Sequence, residues 1–447
     1  MSHSYSIIAC LALALASSAA ASGADMDSVA DSDHRNPISI KRTTDVERSI
    51  LGRHREDTVK NVPAPHFVVK SANNNFLLAI GGSLNVIMGG DIGNNLYKQD
   101  GAAGSFVTNQ IPVPSVAGHK GDFFINPFNG YVDLQVTGLA GTPNEISGYI
   151  KVGTNGINSS IVLQRAYITY RGFQAGLQLT LMQDKYACQP PTIDPEGPCG
   201  ELSAAAYEIA YRSKSYGGFR FAAAIDLPSY CSSNGYYRGH DYAKYYGKQV
   251  DTSLEQYVPD IPMWVEYSFS EWNRVRFSAL IRNFHYRDLV TGKDRYTTGY
   301  GLMLSGNLSP VKPLIFYYQV AYGHGIGAYL QDLAGQDFSY VPDDDNPGKM
   351  KASPMLGAVG GLTYNATSKL QFNAMFSGSR IWDVADYATA PDSGCNYKYA
   401  LYGAANCFYQ LNSYLQFGLE YLWGRKVTWD KGGANDSRIQ AQVAFTF

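Results

Sequence analysis

From Phe76 to the C-terminus the chain is a series of short segments in which apolar and polar residues alternate, separated by clusters of Gly, Asn, Asp, Ser and Pro. The last segment is the plainest: from Arg438 onward, Ile439, Ala441, Val443, Phe445 and Phe447 share one parity, and Arg438, Gln440, Gln442, Ala444 and Thr446 the other. A period of two is the side-chain repeat of an extended strand with one apolar and one polar face. The same alternation predicts strands over 76–90, 126–138, 146–154, 161–170, 173–182, 204–212, 219–226, 261–269, 274–286, 297–307, 314–323, 355–364, 370–380, 401–411, 414–426 and 437–447. That is about 16 strands, and no helical period persists beyond a few turns.

The connectors sort by length. Those after the second, fourth and later even-numbered strands are short ("LAGTPNE", "RG", "SKSYGG", "SEWN", "LSPVKP", "NATSK", "LNS"), and most of the others are long and irregular (91–125, 183–203, 227–260, 324–354, 381–400). Tight turns at one rim and elaborated loops at the other are expected of a transmembrane antiparallel β-barrel with short periplasmic turns and long extracellular loops, an all-β fold. A soluble sandwich has no reason to sort its loops this way. The uncharged run from Pro313 to Gln331 is long enough for a membrane helix, but its first half alternates and it holds glutamines, a histidine and three glycines, so a strand leading into a loop fits better.

Composition agrees. Glycine (45 residues) and tyrosine (34) are abundant, the charge balance is -2, and 17% of residues are charged. With a mean hydropathy of -0.21 the chain is too polar for a helical membrane protein, and no concentrated basic surface points to nucleic acid. Residues 1–22, with an apolar run from Ile7 to Ala16 followed by small residues, are expected to be a cleaved secretory signal peptide. Residues 23–65 are polar and weakly periodic, a periplasmic extension ahead of the barrel at 66–447. With Cys10 lost in the signal, Cys188/Cys199 and Cys395/Cys407 are each close enough in sequence to clip a loop, leaving Cys231. No CxxC or HxxxH spacing supports a metal site, and "GHGIG" at Gly323–Gly327 lacks the strand-turn-helix setting of a phosphate loop, so no cofactor is expected.

If the apolar parity meets lipid, the other faces the lumen. It is expected to collect Arg165, Arg212, Arg220, Arg274, Arg276, Arg282, Arg380 and Arg438, together with Glu208, Glu266 and Glu420. Guanidinium groups around a narrow pore lower the barrier to anions and hold carboxylates bidentately; equally, the arginines can pair with the glutamates and brace the wall. The expected function is passive diffusion of small hydrophilic solutes with a preference for anions. A transporter of hydrophobic substrates would need an apolar lumen, and a barrel hydrolase would need a nucleophile elbow that the sequence lacks; the chain is read as a non-enzyme.

The stretches "VPDIPMWVEYSF", "AYGHGIGAYLQDL" and above all "CFYQLNSYLQFGLEYLWGRKVTWDKGGANDSRIQAQVAFTF" resemble the DcaP-like porins, most clearly over the last third of the chain. The resemblance implies a 16-stranded barrel in the outer membrane of a Gram-negative bacterium, surrounded by lipid and lipopolysaccharide. It also implies a homotrimer that passes small anionic solutes such as dicarboxylates. The terminal Phe447 looks like the aromatic end that the barrel-assembly machinery recognises. By resemblance to general porins, whose third loop folds into the barrel, Asp194 and Glu196 of "QDKYACQPPTIDPEGPCGE" could oppose the arginine wall at a constriction, stiffened by a Cys188–Cys199 clip; an ordinary exposed loop fits the sequence equally well.

Overall fold

The structure, a computed structural model, describes residues 38–42, 67–71, 76–93, 105–114, 123–127, 130–155, 160–184, 189–232, 235–238, 250–251, 258–270, 273–334, 338–389, 396–430 and 432–447. Sixteen antiparallel strands close into a barrel. In chain order they are β1 Phe76–Asp91, β2 Tyr131–Gly138, β3 Ile146–Asn155, β4 Ser160–Tyr170, β5 Phe173–Leu179, β6 Ala205–Arg212, β7 Phe219–Ser232 and β8 Ile261–Ser270. They continue with β9 Asn273–Asp288, β10 Lys293–Val311, β11 Leu314–His324, β12 Pro354–Asn365, β13 Leu370–Ile381, β14 Tyr397–Gln410, β15 Leu415–Thr428 and β16 Gly433–Thr446. Each strand pairs with the next, and β16 returns to β1 in a ladder from Arg438↔Asp91 to Thr446↔Ser83, so no edge is left open.

The two faces separate as the alternation predicts. On β9, β10, β13 and β15, Phe277, Leu304, Phe376 and Leu419 are each about half exposed, while their neighbours Ser278, Ser305, Ser377 and Glu420 are buried. The outward side chains form an apolar band too large for a monomer in water and suited to lipid. Aromatic residues collect at its short-turn edge: Phe173 packs on Tyr211 with ring centroids 5.0 Å apart, and Phe219 on Tyr267 at 4.5 Å. These are the interfacial girdle of a membrane barrel.

Seven shorter strands among the described residues lie outside the sixteen, and two of them precede the barrel. Ile38–Arg42 forms a short strand within the stretch read as an extension, most of which lies outside the described residues. Phe67–Ser71 pairs with β1 from Phe67↔Ile80 to Lys70↔Leu77, on the side that β16 occupies higher up, and so prolongs the seam below the C-terminus. At that seam the Phe447 amide donates to the Gly82 carbonyl at 3.0 Å, and the Gly82 amide to the Phe447 carbonyl at 2.8 Å. A Cβ on Gly82 would stand 2.7 Å from both Phe447 Cζ and the Tyr131 carbonyl oxygen. Gly82→Ala is therefore expected to weaken barrel closure by about 1–3 kcal/mol, seen as a lower temperature for the shift from folded to unfolded mobility in a heated gel series. An unchanged transition would mean that the terminal ring does not hold the seam.

A lumen crossed by the third loop as the candidate functional site

The connection between β5 and β6, residues 180–204, does not stay on its own side of the barrel. Near its start the Asp184 carboxylate takes hydrogen bonds from the Arg274 guanidinium on β9 and, at 2.6 Å, from Ser305 Oγ on β10. Further along, the amides of Ile193 and Asp194 donate to Glu420 on β15 at 3.1 and 3.0 Å, and Tyr402 on β14 donates to Asp194 Oδ2 at 3.0 Å. On the way back the Gly200 amide donates to Ser377 Oγ on β13 at 2.9 Å. Since β14 is eight places from β6 in a ring of sixteen, the loop crosses the whole lumen.

Two other loops lock onto it. Leu330, after β11, bridges Leu202, and the Gln331 amide donates to the Glu201 carbonyl at 3.0 Å. From the loop after β1, the Phe106 amide donates to Asp194 Oδ1 at 2.9 Å, and Thr108 Oγ1 donates to Asp332. Phe106, Ile111, Met182, Leu202, Tyr329, Leu330, Leu333 and Phe338 are all buried in one cluster with inward residues of the wall. The loops thus make an apolar core inside a polar barrel. That core fixes the loop by packing, and a glycine admits the closest approach: a Cβ on Gly200 would lie 2.7 Å from the amide nitrogen and carbonyl oxygen of Ala358.

Burial alters the loop carboxyls. Asp194 is 2% exposed; burial, and then the neighbouring Glu420 carboxylate, push its pKa up to about 8. Asp184 is equally buried, and although burial pushes it up, the Arg274 and Arg276 charges hold it down to about 2. Asp194 therefore does not oppose an arginine wall as a charge; it docks, protonated at neutral pH, on Tyr402 and Glu420. Glu196 stays half-buried and accepts from Gln331 Nε2 at 2.7 Å.

Seven of the eight arginines singled out from the sequence face inward, and most are spent on the wall. Arg274 and Arg276 share Glu266 and Asp184, Arg282 Nε lies 2.8 Å from Asp260 Oδ2, Arg438 Nε lies 2.6 Å from Asp91 Oδ1, and Arg212 Nη2 lies 3.2 Å from Glu208 Oε1. Arg380 departs from expectation: it stands opposite Tyr399 and Leu356 on the outward parity, because β13 is unbroken and its inward residues are Asn373, Met375, Ser377 and Ser379. The cysteine clips also fail. Cys199 is a buried free thiol beside Ser377 Oγ at 3.7 Å, and Cys407 is a free thiol on the outward face of β14; Cys188 and Cys395 lie outside the described residues. Ten strand residues separate Cys407 from Tyr397, about 33 Å, which the two residues from there back to Cys395 cannot retrace to a bonding separation.

Among the described strand residues, acids and bases on the inner wall differ in exposure. The inward acids of the strands, Asp91, Asp133, Glu208, Asp226, Glu266, Glu420 and Asp436, are all buried, whereas Arg165, Arg220 and Lys151 are half-buried. Lys151 and Arg165 are cross-strand partners at mid-height of β3 and β4, and Lys151 Nζ stands 3.9 Å over the Tyr131 ring. Arg220 on β7 lies 3.7 Å from Glu266 and over Trp264. Lys151 shares its parity with Tyr149, so the alternation of "ISGYIKVGTN" was sufficient to find it. Asp184 and Asp332 carry no such signal, because they act from loops.

Among solved structures, the chain is similar to the outer membrane channel DcaP of Acinetobacter baumannii, at 17% identity and a TM-score of 0.65, over 85% of this chain and 99% of that one. The chain has a DcaP-like porin fold. It is also similar to an anion-selective porin from Comamonas acidovorans, at 9% identity and a TM-score of 0.51, over 83% of this chain and 100% of that one. No protein-family model matches the chain, and no curated protein does.

Proposed function

We propose that the protein is an outer-membrane porin through which small hydrophilic solutes diffuse passively, with a preference for anions such as dicarboxylates. The observation that carries this reading is the sorting of charge on the inner wall: its acids are buried and bonded, while Lys151, Arg165 and Arg220 reach the water that a solute must cross. Cations at a narrow passage concentrate anions and raise the barrier to cations. The buried arginines have a different task. Arg282, held by Asp260 and by the Gly325 carbonyl, supports the wall and the sixth loop rather than contacting solutes.

Export through a signal at residues 1–22, insertion by the barrel-assembly machinery through Phe447, and assembly as a homotrimer in lipid and lipopolysaccharide all accord with this reading. The test is the reversal potential in a salt gradient across a planar bilayer. Lys151→Gln with Arg165→Gln and Arg220→Gln is expected to move it toward cation selectivity, and Arg282→Gln to leave it where it is. Unchanged selectivity in the triple variant would remove these residues from the selectivity mechanism.

A further inference from the structure

The outward face of the barrel is apolar almost throughout, which isolates its charged exceptions. On β9 and β10, Arg287 and Asp294 neutralise each other at 3.2 Å. Over β11–β16 the outward parity carries no carboxylate and two guanidinium groups, Arg380 and Arg425. Both stand near the long-loop rim: Arg380 is next to the last residue of β13, and Arg425 is three residues from the end of β15. Neither forms an ion pair among the described residues. Arg380 Nε is buried without a hydrogen-bond partner, and Arg425 donates to Asn435 Oδ1 at 3.3 Å. Asp383 and Asp430 belong to the loops beyond this rim, and Asp430 accepts from Asn396.

The register brings the two arginines to one place. Arg380 pairs with Tyr399 and Tyr399 with Val427, so Arg425 lies two strands across, about 10 Å, and two residues lower. Each is beside a tryptophan: the Arg380 guanidinium lies 4.9 Å from the Trp382 ring, and Trp423 is two residues below Arg425. Between and below them the outward face is a continuous apolar patch: Leu401 lies against Gly378, where an added Cβ would stand 3.1 Å from its Cδ2, and the Phe376 and Trp423 rings lean over Gly403. Tryptophan marks the level of the lipid headgroups, and an arginine on the lipid face is tolerated only near that level, where it can meet an anion. The anions there are phosphates, which match the guanidinium fork.

We propose that Arg380 and Arg425, flanked by Trp382 and Trp423, bind the phosphorylated headgroup of an outer-leaflet lipid, with an acyl chain lying over Leu401 and Phe376. The inference rests on the outer-membrane reading above. Its readout is lipid affinity, so its failure would leave conduction and ion selectivity untouched. The test follows the thermal unfolding of the purified protein in detergent while phosphorylated lipid A, or the same lipid stripped of phosphate, is titrated in. The native protein is expected to be stabilised by the phosphorylated form alone. Arg380→Gln with Arg425→Gln is expected to bind it at least about tenfold more weakly, and Arg287→Gln to bind it normally. If the glutamine pair does not fold, Arg380→Lys with Arg425→Lys keeps the charge, loses the fork, and is expected to give an intermediate loss. Native-like binding by either double variant, or equal binding of phosphate-free lipid, would overturn the proposal. So would equal stabilisation by inorganic pyrophosphate, which would make this a site for free phosphate.

Discussion

Asp184→Ala is expected to loosen the third loop by about 3–5 kcal/mol and to raise single-channel conductance. Asp184 is fully buried and supplies the loop's charge to a cluster in which Arg274 and Arg276 otherwise share only Glu266. Removing one member of a buried ion pair costs more than the pair was worth, because the remaining charge is stranded in a low-dielectric site. With its pKa held at about 2 in the docked loop against about 4 when exposed, Asp184 stabilises docking above pH 4. That contribution is lost as pH falls toward 2. The changes should be visible as a lower unfolding temperature and as larger, noisier conductance steps. Native-like steps from a folded variant would mean that the loop is held elsewhere.

Glu420→Ala is expected to be of similar size and to act at the other end of the loop. Its carboxylate accepts from Thr192 Oγ1 at 2.6 Å, from the amides of Ile193 and Asp194, from Asn406 Nδ2 at 2.7 Å and from Gln440 Nε2 at 2.9 Å. Truncation removes the acceptor of five hydrogen bonds; the Asp194 amide keeps Thr192 Oγ1 at 3.1 Å and Asn406 Nδ2 keeps the Pro191 carbonyl at 2.9 Å, whereas the buried Ile193 amide is stranded at a cost of about 1–3 kcal/mol, with the Thr192 and Gln440 donors in addition. The adjoining Asp194 makes this end sensitive to pH with the opposite sign to Asp184. Its pKa is raised to about 8 when docked against about 4 when released, so between those values only the released loop ionises. Docking is then firmest below pH 4, weakens as pH rises, and levels off above 8. Conductance is expected to increase from pH 5 to pH 8.5 in the native protein and to stay flat in Asp194→Asn, as measured in symmetric salt. A flat native profile would show that Asp194 does not govern the constriction.

The barrel was legible in the sequence because a strand that faces lipid on one side and water on the other must alternate, and each expected strand is present to within a few residues at most ends. The inward expectation for Arg380 runs against that logic. Arg380 shares its parity with Phe372, Ala374 and Phe376, so the alternation that turns those residues to lipid turns Arg380 outward as well, and the register agrees. The inward fold of the third loop was anticipated by likeness to other porins, but its chemistry was not. Asp194 was expected as a charge facing arginines; burial against Phe106, Tyr402 and Glu420 makes it a neutral dock. Local pattern carries no record of contacts across a lumen, so Asp332 under Thr108, or Leu330 on Leu202, had no signal to find. Seven of the eight arginines share the inward parity, yet pairing decides their role, and pairing is a three-dimensional fact.

A water-filled passage beside the docked third loop would let the inserted protein conduct. Single-channel recording of the purified protein in a planar bilayer examines this, first in symmetric salt and then in a salt gradient. A steady conductance with an anion-selective reversal potential, reduced by added succinate, is the predicted result. An inserted protein that stays silent at every voltage would mean that the three loops seal the barrel and that the protein is not a diffusion channel.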